Sequence, residues 1–109
     1  GFSLGGFIAI SAAEASLSDP NVPDVKCLVV NWGAMFRDAQ PCCGFPPTLF
    51  VHGELDPIVP LKYAQQTMAA LKTVGTPNEL VVVPGAGHIA RSAESDRATL
   101  AILSQHLQP

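Results

Sequence analysis

Gly1-Phe2-Ser3-Leu4-Gly5-Gly6 opens the chain, and its reading decides the fold. It is a G-x-S-x-G pattern running straight into an Ala-rich apolar stretch, LGGFIAISAAEASL at residues 4–17, which places a serine on a sharp strand-to-helix turn. Such a turn strains the central backbone, so the residues two positions to either side, Gly1 and Gly5, are expected to be small where strand and helix pass closely. The turn projects the Ser3 hydroxyl above a sheet. It aims the next backbone N–H, that of Leu4, at the same point, where a helix N-terminus favours a developing alkoxide. Glycine-serine-glycine patterns also occur in ordinary tight turns, so the partners must come from elsewhere in the chain.

Downstream, strand-like and helix-like segments alternate. Residues 4–17 are apolar almost all round, as in a helix buried on most sides. SDPNVPD at 18–24 gathers turn-formers before VKCLVVNW at 25–32, a short apolar run suited to a buried parallel strand. Residues 33–47, with their glycines and prolines, read as an irregular loop leading into TLFVHG. Leu61, Ala64, Met68, Leu71 and Val74 fall at helical spacing between Pro60 and a terminating Gly75. ELVVVPG gives another strand, and residues 92–107 a last helix capped by Ser92, with Asp96, Leu100, Leu103 and Leu107 on one face. Alternation of this kind predicts an α/β domain over 1–109 with three to four parallel strands and flanking helices.

Two further motifs stand just past strand ends. In His52-Gly53-Glu54-Leu55-Asp56-Pro57-Ile58-Val59-Pro60, Asp56 is placed to accept the Nδ1 proton of a histidine and fix its tautomer. Capping a turn before Pro57 is the plainer role for the same carboxylate. In Pro84-Gly85-Ala86-Gly87-His88 the glycines free the backbone to aim an imidazole inward, as a general base requires. His52 and His106 compete for the base, and Glu54 for the acid. His52 lies too near the acid in sequence, His106 belongs to a surface helix, and Asp56 stands deeper in its turn. The chain order Ser, Asp, His at successive strand ends is that of α/β hydrolases and differs from other triad orders.

Composition narrows the partners. Apolar residues make up 48% of the 109, charged residues 14%, and the net charge is −3, with basic residues scattered singly. No basic stripe offers itself to a phosphate backbone, so nucleic acid is not an expected partner. No apolar run approaches the roughly 18 to 20 residues that span a bilayer. Cys27, Cys42 and Cys43 fit neither a disulfide framework nor a metal spacing and are read as reduced thiols, Cys27 in the core and the pair in a loop. The compartment stays open, with the cytoplasm favoured, and no metal or organic cofactor is expected.

At these motifs the chain resembles the α/β-hydrolase superfamily, in its dienelactone hydrolase and phospholipase/carboxylesterase branches, the latter including acyl-protein thioesterases. GFSLGG is similar to the nucleophile elbow of both branches, HGELDPIVPL to the acid turn of the thioesterase-like branch, and VVVPGAGH to the histidine loop of the dienelactone branch. Ser3 stands where true dienelactone hydrolases carry Cys, and Leu4 where thioesterases usually carry Gln. The resemblance implies Ser3 as nucleophile, Asp56 as acid, His88 as base and the Leu4 N–H as an oxyanion donor. It also implies an eight-stranded sheet of which this chain holds the C-terminal portion, without the N-terminal half, the second oxyanion donor and one pocket wall.

The activity expected is hydrolysis of a small-molecule carboxylic ester or thioester through an acyl-enzyme, with the fragment alone inactive and poorly soluble. Two alternatives stay open: the end of a prolyl-oligopeptidase-like serine peptidase, and a non-catalytic truncated hydrolase-fold module.

Overall fold

The computed structural model describes residues 1–36, 41 and 43–107. Its elements follow in the order α1 (Leu4–Ser18), β1 (Leu28–Asn31), β2 (Thr48–Gly53), α2 (Leu61–Thr73), β3 (Asn78–Val83) and α3 (Ala93–His106). The strands form a parallel sheet in the order β1-β2-β3, with Leu28 beside Thr48 and Thr48 beside Asn78. Residues 1–3 continue it as a fourth rung. Gly1 N donates to Val29 O, Asn31 N to Gly1 O and Ser3 N to Asn31 O, each at 2.9 Å, the slanted pattern of a parallel pair.

Alternating side chains split the sheet into two faces. Leu28, Val30 and Phe50 meet Ile10 and Ala13 of α1 and Ala64 and Leu71 of α2, closed at one end by Phe45. On the other face Leu49, Val51 and Val81 pack with Ala98 and Ile102 of α3. β2 is buried along its whole length because it has a neighbour on either side and helices above and below.

α2 follows its predicted face. Ala64, Thr67 and Leu71 are buried, Met68 packs beside them, and Gly75, at φ 76, ends the helix with Thr76 N bonded to Leu71 O. Ser92 caps α3 as expected, within a reciprocal box in which Ser95 N donates to Ser92 Oγ and Ser92 N to Ser95 Oγ.

Within residues 1–109, α1 buries Gly6, Ile10 and Ala13, at the spacing of one helix face, while Leu4 (61%), Ile8 (55%) and Leu17 (40%) stand exposed. Two expectations are corrected. α3 turns Ser95, Ala98 and Ile102 to the sheet, and leaves Leu100 and Leu107 of the predicted face in solvent. Ser95 is both the N3 residue of the capping box and buried. Cys27 is half-buried rather than a core residue, just ahead of the four-residue strand β1, which is shorter than the apolar run suggests. Burial pushes its thiol up from the usual value. Cys43 is free and exposed, and Cys42 lies outside the described residues.

Candidate active site

Ser3, Trp32, Asp56 and His88 come from the segments that follow the C-terminal tips of four adjacent strand segments, the edge of an open α/β sheet where ligands bind. Ser3 has φ 52 and ψ −122, a region that costs a non-glycine residue on the order of 1–3 kcal/mol and is held only when the surroundings dictate it. They do so here. A Cβ at Gly1 would lie 2.1 Å from Gly5 O, and one at Gly33 would lie 2.9 Å from Ser3 O and 3.0 Å from Gly6 Cα, so strand tip, helix and following loop touch backbone to backbone. Gly5 itself has open space at the Cβ position, which corrects the steric role expected of it; the tight helix-side position is Gly6, facing Gly33 Cα and Val30 Cγ1 at 3.2 Å.

The Ser3 hydroxyl lies 2.7 Å from His88 Nε2, and His88 Nδ1 lies 2.8 Å from Asp56 Oδ2. A carboxylate oxygen only accepts, so Nδ1 carries the ring proton and Nε2 offers its lone pair to the serine O–H. Asp56 is fully buried in its side chain, whereas His88 keeps 22% exposure. Burial works to raise the Asp56 carboxyl. It is outweighed by the His88 hydrogen bond, the N–H groups of Val59 and Ile58 and the electrostatic pull of the His88 ring, which together hold the group below its ordinary value. Ile58 N donates to Asp56 Oδ1 at 2.8 Å and Val59 N at 2.9 Å. One carboxylate oxygen thus caps its own turn and the other faces the histidine.

The acid and histidine loops are stitched together. Glu54 N donates to Val83 O at 3.1 Å, Leu55 N to Ala86 O at 2.9 Å, and Gly85 N to Glu54 Oε1 at 3.2 Å, so Glu54 braces the histidine loop and is not the histidine's partner. Gly53 makes the stitching possible, because a Cβ there would fall 2.0 Å from Gly87 O and 2.6 Å from Ala86 O.

Leu4 is the first residue of α1, so its N–H is one of the four that a helix leaves without an internal acceptor. His52 is brought to Asp56 rather than to Ser3. It is wholly buried, with Nε2 2.6 Å from Val59 O and 3.4 Å from Asp56 Oδ2. His106, in the last turn of α3, takes no part in these contacts. Trp32 is a site residue that the sequence reading leaves inside a strand. Only 8% exposed and at φ 41, it sets its ring 6.4 Å edge-on from the His88 ring and 5.3 Å from that of Phe2. No local signal marks it, since a tryptophan ending an apolar run reads as core.

An open groove of about 710 Å³ runs between α1 and α2, lined among others by Phe7, Met35, Phe36, Ile58, Val59 and Tyr63. It reaches the acid turn through Ile58 and Val59 and the first turns of α1 through Phe7. Among the described residues no cluster of three or more His, Cys, Asp or Glu could hold a metal ion, and no helix is long and apolar enough to cross a membrane.

Comparison with known proteins gives the fold its context. The chain is similar to esterase PE8 (25% identity, TM-score 0.70, covering 97% of this chain and 48% of that one). It is also similar to acyl-protein thioesterase 2 of Zea mays (21%, TM-score 0.77, 99% and 55%) and to SOBER1 of Arabidopsis thaliana (23%, TM-score 0.73, 99% and 51%). The chain thus spans about half the length of the solved structures it matches. No curated protein matches it significantly. The model of the prolyl oligopeptidase family matches residues 37–108, a stretch that holds both Asp56 and His88. With its parallel sheet, a strained serine at a strand-to-helix turn and that match over most of its length, the chain has an α/β-hydrolase fold and belongs to the prolyl oligopeptidase family.

Proposed function

We propose that residues 1–109 are part of an α/β-hydrolase domain carrying the reactive centre of a serine hydrolase, which cleaves carboxylic esters or thioesters through an acyl-enzyme. The carrying observation is the unbroken relay from Ser3 Oγ to His88 Nε2 at 2.7 Å and from His88 Nδ1 to Asp56 Oδ2 at 2.8 Å. In this reading His88 Nε2 takes the hydroxyl proton as Ser3 Oγ attacks the carbonyl carbon. Asp56, ionised and fixed by three N–H donors, stabilises the imidazolium. The proton then passes from Nε2 to the departing alcohol or thiol, and water enters by the same route to release the acid. The Leu4 N–H, at the positive end of α1, faces the charge that develops on the carbonyl oxygen. The groove between α1 and α2 supplies an apolar wall for an acyl chain or apolar leaving group.

Peptide hydrolysis is a second reading, favoured by the family match over residues 37–108. The chemistry at Ser3 is common to both, and the leaving group separates them. The test is fluorophosphonate labelling of the intact protein and its Ser3→Ala variant, followed by parallel turnover of p-nitrophenyl esters, acyl thioesters and a proline-containing peptide anilide. Labelling is expected at Ser3 alone, with ester or thioester turnover. Preferential anilide cleavage would move the assignment to a peptidase, and labelling that persists in Ser3→Ala would remove Ser3 from the mechanism.

A further inference from the structure

His52 is a buried titratable group that the mechanism above does not use. It lies near the end of β2 on the same face as Phe50, with no side-chain exposure. Among the described residues its buried Nδ1 has no hydrogen-bond partner, so an aliphatic side chain would fill the same space with no stranded nitrogen. What distinguishes imidazole here is Nε2. A carbonyl oxygen cannot donate, so the 2.6 Å contact with Val59 O fixes the proton on Nε2. That N–H also lies 3.4 Å from Asp56 Oδ2, the oxygen that accepts from His88.

Val59 ties these contacts into one unit. Its N–H donates to Asp56 Oδ1 at 2.9 Å while its carbonyl accepts from His52, so the ring holds the peptide that holds the carboxylate. The two oxygens of Asp56 are then set differently: Oδ1 faces backbone donors, and Oδ2 faces two imidazole N–H groups, one bonded and one alongside. Resting on the serine-hydrolase reading, we infer that His52 is a positioning residue, which fixes the Asp56 carboxylate so that Oδ2 points at His88 Nδ1. It touches no substrate and acts through Asp56 alone.

The test compares His52→Gln, whose amide N–H stands close to the place of Nε2, with His52→Leu, which removes the donor. Two readouts are taken on the intact protein: kcat and KM on a p-nitrophenyl ester, and the far-downfield proton resonance of His88 Nδ1–H, assigned by its loss in Asp56→Ala. In His52→Leu, kcat is expected to fall about 10-fold to 100-fold with KM within about 2-fold, since the loss lies in alignment and not in binding. The downfield resonance shifts or disappears, and His52→Gln recovers both. Parental kcat and resonance in His52→Leu would overturn the inference, as would a Gln variant impaired as deeply as Leu. Should His52→Leu fail to fold, Gln against His52→Asn decides: Asn presents its donor nearer the place of Nδ1, so equal behaviour of the two refutes the role. A parent that shows the resonance but no Ser3-dependent turnover would sink the hydrolase reading, and the resonance in the variants would still settle His52.

Discussion

Replacing Gly53 with alanine adds one methyl group at the closest approach between the acid and histidine loops. That methyl would fall 2.0 Å from Gly87 O and 2.6 Å from Ala86 O, both backbone atoms with no flexible end to swing away. Ordinary contact begins near 3.4 Å, so one loop must retreat by about 1.4 Å from the other. The retreat acts next door to His88, whose bonds to Ser3 and Asp56 stand at 2.7 and 2.8 Å. Stretched by that amount, either bond passes the range in which N–H and O–H groups still bind. Misplacement on the order of 1 Å costs about 100-fold in rate. Overpacking adds about 1–3 kcal/mol of lost stability, and a weakened Leu55 N to Ala86 O bond about 1 kcal/mol more. The assay is the second-order rate of fluorophosphonate labelling of Gly53→Ala at a temperature where circular dichroism shows it folded, with a thermal melt alongside. A slower rate by about two orders of magnitude and a Tm lower by several degrees are expected. Parental labelling with an unchanged melt would show that the two loops do not depend on their close approach, and the account of how His88 is held would fall.

Ser3→Gly should raise stability by about 1 kcal/mol in denaturant titration while abolishing labelling, because glycine accepts φ 52 without strain. Stability should fall as pH drops below about 4: the Asp56 pKa is depressed on folding, so its contribution is complete above the unfolded value and is lost as pH falls through the folded one. Acid titration by circular dichroism should find Asp56→Asn less sensitive over that window. Ser92→Ala should lower stability by about 1 kcal/mol through loss of the α3 capping box, with labelling unchanged. Phe7→Ala, at the groove, should raise KM for longer-chain esters several-fold and leave acetyl esters alone, as a few lost methylene contacts are worth about 1–3 kcal/mol.

The element order is legible because punctuation and periodicity agree: Pro60 and Gly75 bracket α2, Ser92 opens α3, and β2 and β3 are continuous apolar runs. The segments that bring Ser3, Asp56 and His88 to one edge are legible for the same reason, each lying just past a strand end marked by Gly or Pro. Less legible is what depends on how elements face each other. The leucines of α3 suggest one face, but the helix meets the sheet through Ala98 and Ile102, with Ser95 buried beside them. Trp32 combines φ 41 with an N–H bonded to Val51 O at 2.7 Å, a contact between separate segments that no local pattern announces. Gly53 looks like a turn glycine, yet its role is close approach, and the partner loop is more than thirty residues away. His52 reads as a rival for the base, and its actual contacts arise from the turn at 56–59 folding back on the strand.

Trp32 is the chain's one tryptophan, and its indole lies beside the His88 ring. Tryptophan emission from this chain therefore originates at a single place, beside the histidine loop. Inhibitor arrival, slippage of that loop in Gly53→Ala or unfolding of the sheet edge would each alter the fluorophore's surroundings, giving stopped-flow measurements a label-free optical gauge already seated where the events occur.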